Sequence, residues 1–212
     1  MPLLLNEAPT AQRLLVICVS TLVLSIALLL RQNVNVWLTT GLAAVIALAA
    51  CLYVHGAELK RLVMPHAREV CLGIVCGALM AGLTQLAYPI AKAVLPGLSD
   101  WVEPLYGNLR QPPGPYWALP ILVLVVVAEE CVWRGLLIDM LHRRYADSQV
   151  VLLSTALYAV PHLCSGSWLL VGVVLVCGVI WSRLRVMTGS LVVPLLTHLI
   201  WDLGVFVLFP LD

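Results

Sequence analysis

Three charged side chains stand inside a segment otherwise apolar enough to cross a bilayer. Residues 125–137 read Val-Val-Val-Ala-Glu-Glu-Cys-Val-Trp-Arg-Gly-Leu-Leu, which places Glu129, Glu130 and Arg134 within about one and a half helical turns. A single ionised residue near the centre of a spanning helix costs roughly 2.5–3.5 kcal/mol even on a lenient insertion scale. Three of them constrain the rest of the chain to supply partners or a water-filled cavity at the same depth. An ionisable cluster in that setting marks a functional site.

The surrounding sequence offers few partners. Of 212 residues, 62% are hydrophobic and 11% charged, and mean hydropathy is +1.01, well outside the range of soluble domains. Apolar runs near 14–30, 36–54, 70–95, 115–141, 149–164, 167–182 and 190–209 predict an all-α, polytopic transmembrane helix bundle of about seven spans. The runs at 149–164 and 167–182 are short. Residues 1–13 read as a polar lead-in, and residues 14–54 as lipid-facing scaffold. Residues 55–69 read as a basic loop with His66 exposed. Gly73, Gly77 and Ala81 form a stripe that admits a close neighbouring helix. Residues 1–114 are then transmembrane scaffold helices with an outer loop, and residues 115–212 a transmembrane catalytic core.

A formal net charge of +1 without a Lys/Arg run excludes a nucleic-acid partner. Its distribution sets an orientation. With the N-terminus cytoplasmic, the inner side receives Arg13, Lys60, Arg61, Arg68, Arg143, Arg144, Arg183 and Arg185, against Arg31, Lys92 and Arg110 outside. The first apolar run lacks a small-residue cleavage pattern and reads as a retained helix. Seven cysteines lie in apolar segments without metal-ligand or CxxC spacing, as small buried hydrophobes do. The proline-rich stretch 96–115 reads as an interfacial connector, with Trp37, Trp117 and Trp168 in an outer aromatic belt. A lid over the site, or a guide for substrate entry, is its functional alternative.

Deep polar groups recur at only three other places, His162, His198 and Asp202. Glu130 and Arg134 are i,i+4 and can neutralise each other, leaving Glu129, about 100° round the helix, to face something else. His198 and Asp202 again share a face, and His162 follows Pro161, where the helix is expected to bend. Measured at ~1.5 Å per residue from the basic helix ends, Glu130, His162 and His198 lie ~16, ~20 and ~15 Å deep. That common level predicts one site in a cavity open to the cytoplasmic side, or to water from one face. A carboxylate and two imidazoles in such a pocket can activate a water and stabilise an oxyanion. The same groups can instead hold zinc, with Glu129, His162 and His198 as ligands. Trp133 and Trp201 read as packing against the site, and Asp139 and His142 as interfacial.

The pattern Glu129-Glu130-x-x-x-Arg134, then Tyr158-x-x-x-His162, then His198-x-x-x-Asp202 resembles the CPBP (Abi, CAAX-protease-like) family of intramembrane endopeptidases. The flanking Arg134-Gly135-Leu136-Leu137 and Thr188-Gly189-Ser190-Leu191 resemble it too. The likeness covers roughly the C-terminal half, from Tyr116 onward. It implies that Glu129 is the base and works with His162 on the attacking water. His198 and Asp202 then form the oxyanion-stabilising pair, and Glu130 and Arg134 hold the first motif. Tyr158 stands where phenylalanine is frequent, and Asp202 where asparagine is also common, so Asp202 can orient His198 instead. No cofactor is required by this glutamate-type route, which is preferred over the zinc route.

The implied activity is hydrolysis of a peptide bond in a membrane-associated client: a leader, a C-terminal anchor or a CAAX-type tail. The compact chain points to a bacterial cytoplasmic membrane. Two other classes compete. A non-hydrolytic peptide-binding immunity or signalling protein would tolerate Glu129→Gln, and a proton-coupled transporter would show pH-driven flux without cleavage.

Overall fold

The computed structural model describes residues 10–211, and within them the chain is helical throughout its regular structure. The proposed lead-in lies mostly outside the described residues. Helices α1 (Thr10–Leu30), α2 (Val36–Leu62) and α3 (Ala67–Val94) are followed by a short α4 (Leu98–Leu109). Next comes α5 over residues 119–141, an α-helix Leu119–Glu129 that opens into a π-helical stretch Glu130–Leu137 and closes with Ile138–Leu141. Then follow α6 (Asp147–His162), α7 (Trp168–Thr188) and α8 (Val192–Leu208), the last ending in π-helical Leu203–Leu208. Among the described residues, α1, α2, α3 and α7 are long and apolar enough to cross a membrane. The other three expected segments are also helical. Residues 119–141 carry four charges, α6 has 16 residues, and α8 is a short apolar helix. The protein is an integral-membrane helical bundle.

The glycine stripe of α3 performs the packing its spacing implies. A Cβ on Gly73 would stand 2.8 Å from Leu196 Cβ, and one on Gly77 2.8 Å from Ile200 Cβ, while a Cβ on Gly204 would meet Ala81 at 2.9 Å. Backbones of α3 and α8 therefore approach closely, and α8 is held where its polar face looks inward. The opposite face of α3 is apolar and exposed, with Leu79, Leu83, Leu86 and Ile90 outward, as a lipid-facing surface requires. Gly189, at φ +69°, ends α7 in a left-handed residue and redirects the chain into α8.

Three sequence expectations are corrected by the fold. Residues 55–62 are not loop but the last two turns of α2, in which 57–62 are good helix formers with Lys60 and Arg61 at the favourable C-terminal end. His55 is consequently buried, its Nε2 3.1 Å from Asp139 Oδ2, and Arg185 Nη2 donates to Asp139 Oδ1 at 2.7 Å. Asp139 is thus the junction of α2, α5 and α7 rather than an interfacial residue. Trp37 leaves the aromatic belt, in which Trp117 and Trp168 remain exposed. Its indole N–H donates to the Gln111 carbonyl at 3.1 Å, which lets the ring be buried.

The stretch 96–115 is largely the helix α4, because Leu98, Val102 and Tyr106 recur at helical spacing and bury one face. Tyr106 donates its hydroxyl to the Val205 carbonyl at 2.8 Å. Gln111 then staples the connector to the α1–α2 turn: Oε1 accepts from Val36 N–H at 2.6 Å, and Nε2 donates to the Arg31 carbonyl at 3.0 Å.

Candidate active site

The π-helical stretch begins immediately after Glu129, and such insertions in an α-helix are frequent at functional sites. The two adjacent glutamates then part. Glu130 is fully buried and its Oε1 accepts from Arg134 Nη1 at 3.1 Å and from His198 Nδ1 at 2.9 Å. Glu129 is half-buried on the wall of a cavity of about 200 Å³, and Tyr158 donates its hydroxyl to Glu129 Oε2 at 2.7 Å. One carboxylate is enclosed by protein groups; the other meets open space.

Helix α6 ends on the site. Pro161 does not kink it midway; the helix stops at His162 and passes into a single tight turn, Leu163–Ser165. His162 Nδ1 lies 2.9 Å from the Tyr158 carbonyl oxygen, which can only accept, so in the neutral ring Nδ1 carries the proton and Nε2 is the open nitrogen. His198 is fixed in the same sense, Nδ1 donating to Glu130, with Nε2 3.7 Å from Asp202 Oδ1. The strong bond that orients His198 therefore comes from Glu130, across helices, and Asp202 flanks its free edge at longer range. His162, His198, Asp202, Tyr158 and Glu129 all line the one cavity, and all but Glu129 are buried residues.

Aromatic rings wall the polar groups off from the helix core. Trp181 stacks on His198 with centroids 3.6 Å apart, and the Arg134 guanidinium lies 4.2 Å from the Tyr158 ring centre and 5.2 Å from that of Trp181. Gly178 makes room for this arrangement: a Cβ there would meet Thr155 Cγ2 at 3.0 Å and Tyr158 Cδ1 at 3.4 Å. Trp201 and Trp133 pack at depth as their positions imply, Trp201 donating to Thr84 Oγ1 at 3.0 Å. Sequence reasoning passed over Trp181, because its stacking on His198 joins two helices and leaves no spacing signal within α7.

The cavity extends from these groups towards Leu28, Arg31, Trp37 and Asn108, at the α1–α2 turn and α4. That end of the bundle is opposite the loops carrying Lys60, Arg61, Arg143 and Arg144. An opening on the side of the basic loops is thus replaced by one beneath α4, because α6 terminates at His162 and leaves the space beyond it unfilled. Among the described residues, no three His, Cys, Asp or Glu side chains converge as metal ligands. The closest carboxylate and imidazole donors are instead tied to Tyr158, Arg134 and one another.

Residues 111–204 match the Rce1-like family model, described as type II CAAX prenyl endopeptidase Rce1-like. This region is similar to that family. The match contains Glu129, Glu130, Arg134, Tyr158, His162, His198 and Asp202, and agrees with the resemblance carried by their motifs. At the level of the family, the Rce1-like region supports an intramembrane protease acting on a membrane-associated protein. Helices α1 to α3, and α4 with its cavity-lining face, lie outside the matched residues. No curated protein and no solved structure matches the chain significantly.

Proposed function

We propose that the protein is a glutamate-type intramembrane endopeptidase that cleaves a leader, a C-terminal anchor or a CAAX-type tail of a membrane-associated client. The observation that carries this reading is the division of labour between adjacent carboxylates. Glu130 is consumed by Arg134 and His198, whereas Glu129 faces the cavity beside His162.

Glu129 takes a proton from a water whose oxygen attacks the scissile carbonyl carbon, and the Nε2 of His162 helps to hold that water. Tyr158 fixes the carboxylate for the purpose. His198, anchored through Nδ1 on Glu130, donates from Nε2 to the developing oxyanion when it carries its second proton, with Asp202 flanking it. Collapse of the intermediate breaks the C–N bond, and the proton held by Glu129 passes to the leaving nitrogen. Each proton is accounted for without a metal. In this reading the membrane is a bacterial cytoplasmic one with the N-terminus inside, as the positive-inside bias favours, and α4 and the cavity opening face the extracytoplasmic side.

The test compares protein termini in membranes of host cells that carry the wild-type protein or Glu129→Gln at matched expression. New termini that vanish in the variant are the expected result and identify the client. Identical termini with a preserved host phenotype would replace the protease by a peptide-binding protein.

A further inference from the structure

We propose that Arg31 is the carboxylate-binding residue of the cavity, holding a carboxylate of the client at the entrance to the active site. The inference rests on the endopeptidase reading and adds a specificity determinant outside the Rce1-like region.

Arg31 follows the last residue of α1 and is 92% shielded, with 8% of its surface exposed. Among the described side chains that line the cavity it is the one Lys or Arg. It also lines a second space, bounded by Trp101, Ser167 and Trp168 between α4 and the α6–α7 connector, with Asp100 as its one carboxylate, not in ion-pair contact with Arg31; Leu105 borders both spaces. Arg31 therefore stands where an outer vestibule meets the inner cavity that holds Glu129 and the two histidines.

Its hydrogen bonding is one-sided. Nη1 donates to the carbonyl oxygens of Leu28 and Ser165, which anchors the side chain. Nε is buried without a partner, and no carboxylate is paired with the guanidinium among the described residues. Burial pulls its pKa below the ordinary arginine value, the direction desolvation gives a cation. The donors left without an acceptor in the chain are Nε and Nη2, two parallel donors in the fork that matches a carboxylate. An anchored, unneutralised guanidinium at the neck of an apolar cavity selects an anionic, planar acceptor on an otherwise apolar peptide. Glu129 and Asp202 at the far end would repel the same carboxylate, so a client binding with its charge on Arg31 lays its uncharged backbone towards the site.

The experiment reads binding in the inactive Glu129→Gln protein in a neutral maltoside detergent, by quenching of Trp37, Trp181 and Trp201, which line the cavity. The probes are N-palmitoyl-Leu-Val-Ala-Leu as the free acid, the same peptide as its C-terminal amide, and an amide ending in aspartate. With Arg31 intact, the acid is expected to bind about 10- to 100-fold tighter than the amide, the worth of a charge-assisted pair. Arg31→Gln should reduce the acid to the affinity of the amide and leave the amide unchanged, and Arg31→Lys should fall between. Recovery of affinity by the aspartate amide would assign the ligand as a side-chain carboxylate, and its failure a chain terminus.

Equal binding of acid and amide with Arg31 intact overturns the proposal, and needs no Arg31 variant to be stable. Equal weakening of both by Arg31→Gln overturns it in favour of a structural tie. Arg31-dependent quenching by phosphatidylglycerol, with no acid preference, overturns it in favour of a lipid phosphate. The readout is independent of cleavage: its failure leaves the endopeptidase reading standing, and unchanged termini in Glu129→Gln cells leave an acid preference standing.

Discussion

Replacing Arg134 with methionine is expected to cost about 3 kcal/mol of stability, at the low end of the range for breaking a buried ion pair. The side chain is fully buried, as is Glu130, and their contact is 3.1 Å long. Removing the cation strands the carboxylate. His198, 2.9 Å from the same oxygen, can supply countercharge and keeps the loss from the upper end. The guanidinium also lies over Tyr158 and Trp181. Those contacts are worth about 0.5–2 kcal/mol each, and the methionine sulfur regains roughly half through its own aromatic contacts. Glu130→Gln should cost about as much, by stranding the guanidinium. In the double variant neither charge remains, so the two losses should fall short of additivity by about 2–3 kcal/mol. Unfolding in mixed dodecyl maltoside and SDS micelles, followed by the fluorescence of Trp133 and Trp181, measures all four proteins. A cost under about 1 kcal/mol for Arg134→Met, or additivity within about 0.5 kcal/mol, would show that the two charges do not depend on each other for their burial.

Three further outcomes follow from the geometry. Asp139→Ala should lower stability by about 2–4 kcal/mol in the same titration, because it leaves Arg185 and the buried His55 without their shared acceptor. Gly77→Ala should cost about 1–3 kcal/mol by pushing α3 off Ile200 and Thr197. Gly82→Ala on the same helix, where a Cβ meets nothing, should be neutral or stabilising by up to about 1 kcal/mol; a thermal scan of the pair separates close packing from helix propensity. Chelation of divalent metals should leave cleavage of the identified client unchanged, and activity lost to the chelator and restored by zinc would exchange the glutamate route for a metal one.

The site was legible because its side chains are costly in a membrane. Six ionisable groups at unrelated positions in an apolar chain have few ways to be satisfied, and their i,i+4 spacings already paired Glu130 with Arg134 and His198 with Asp202. Geometry preserved the first pair and loosened the second. His198 takes its short bond from Glu130, a partner 68 residues away, which no spacing rule within one helix can reveal. Trp181 escaped notice for a related reason: it acts by stacking, and an indole in an apolar helix looks the same whether it meets lipid or an imidazole.

Hydropathy alone determined that the chain is a helical membrane bundle, since transfer of apolar side chains from water is a local property of each segment. Charge cost alone determined which residues had to meet. Tertiary structure decided the rest. Residues 55–62 continue α2 on local propensity, but the partner that lets His55 be buried there, Asp139, arrives only when α5 packs against α2. Residues 98–109 carry their own helical spacing, but where α4 docks depends on α8, whose Val205 carbonyl accepts from Tyr106. The cavity opens beneath α4 because α6 stops at His162 while its neighbours continue. Each depends on groups distant in sequence arriving at one place, and the free energy that selects them exists only once the helices have packed.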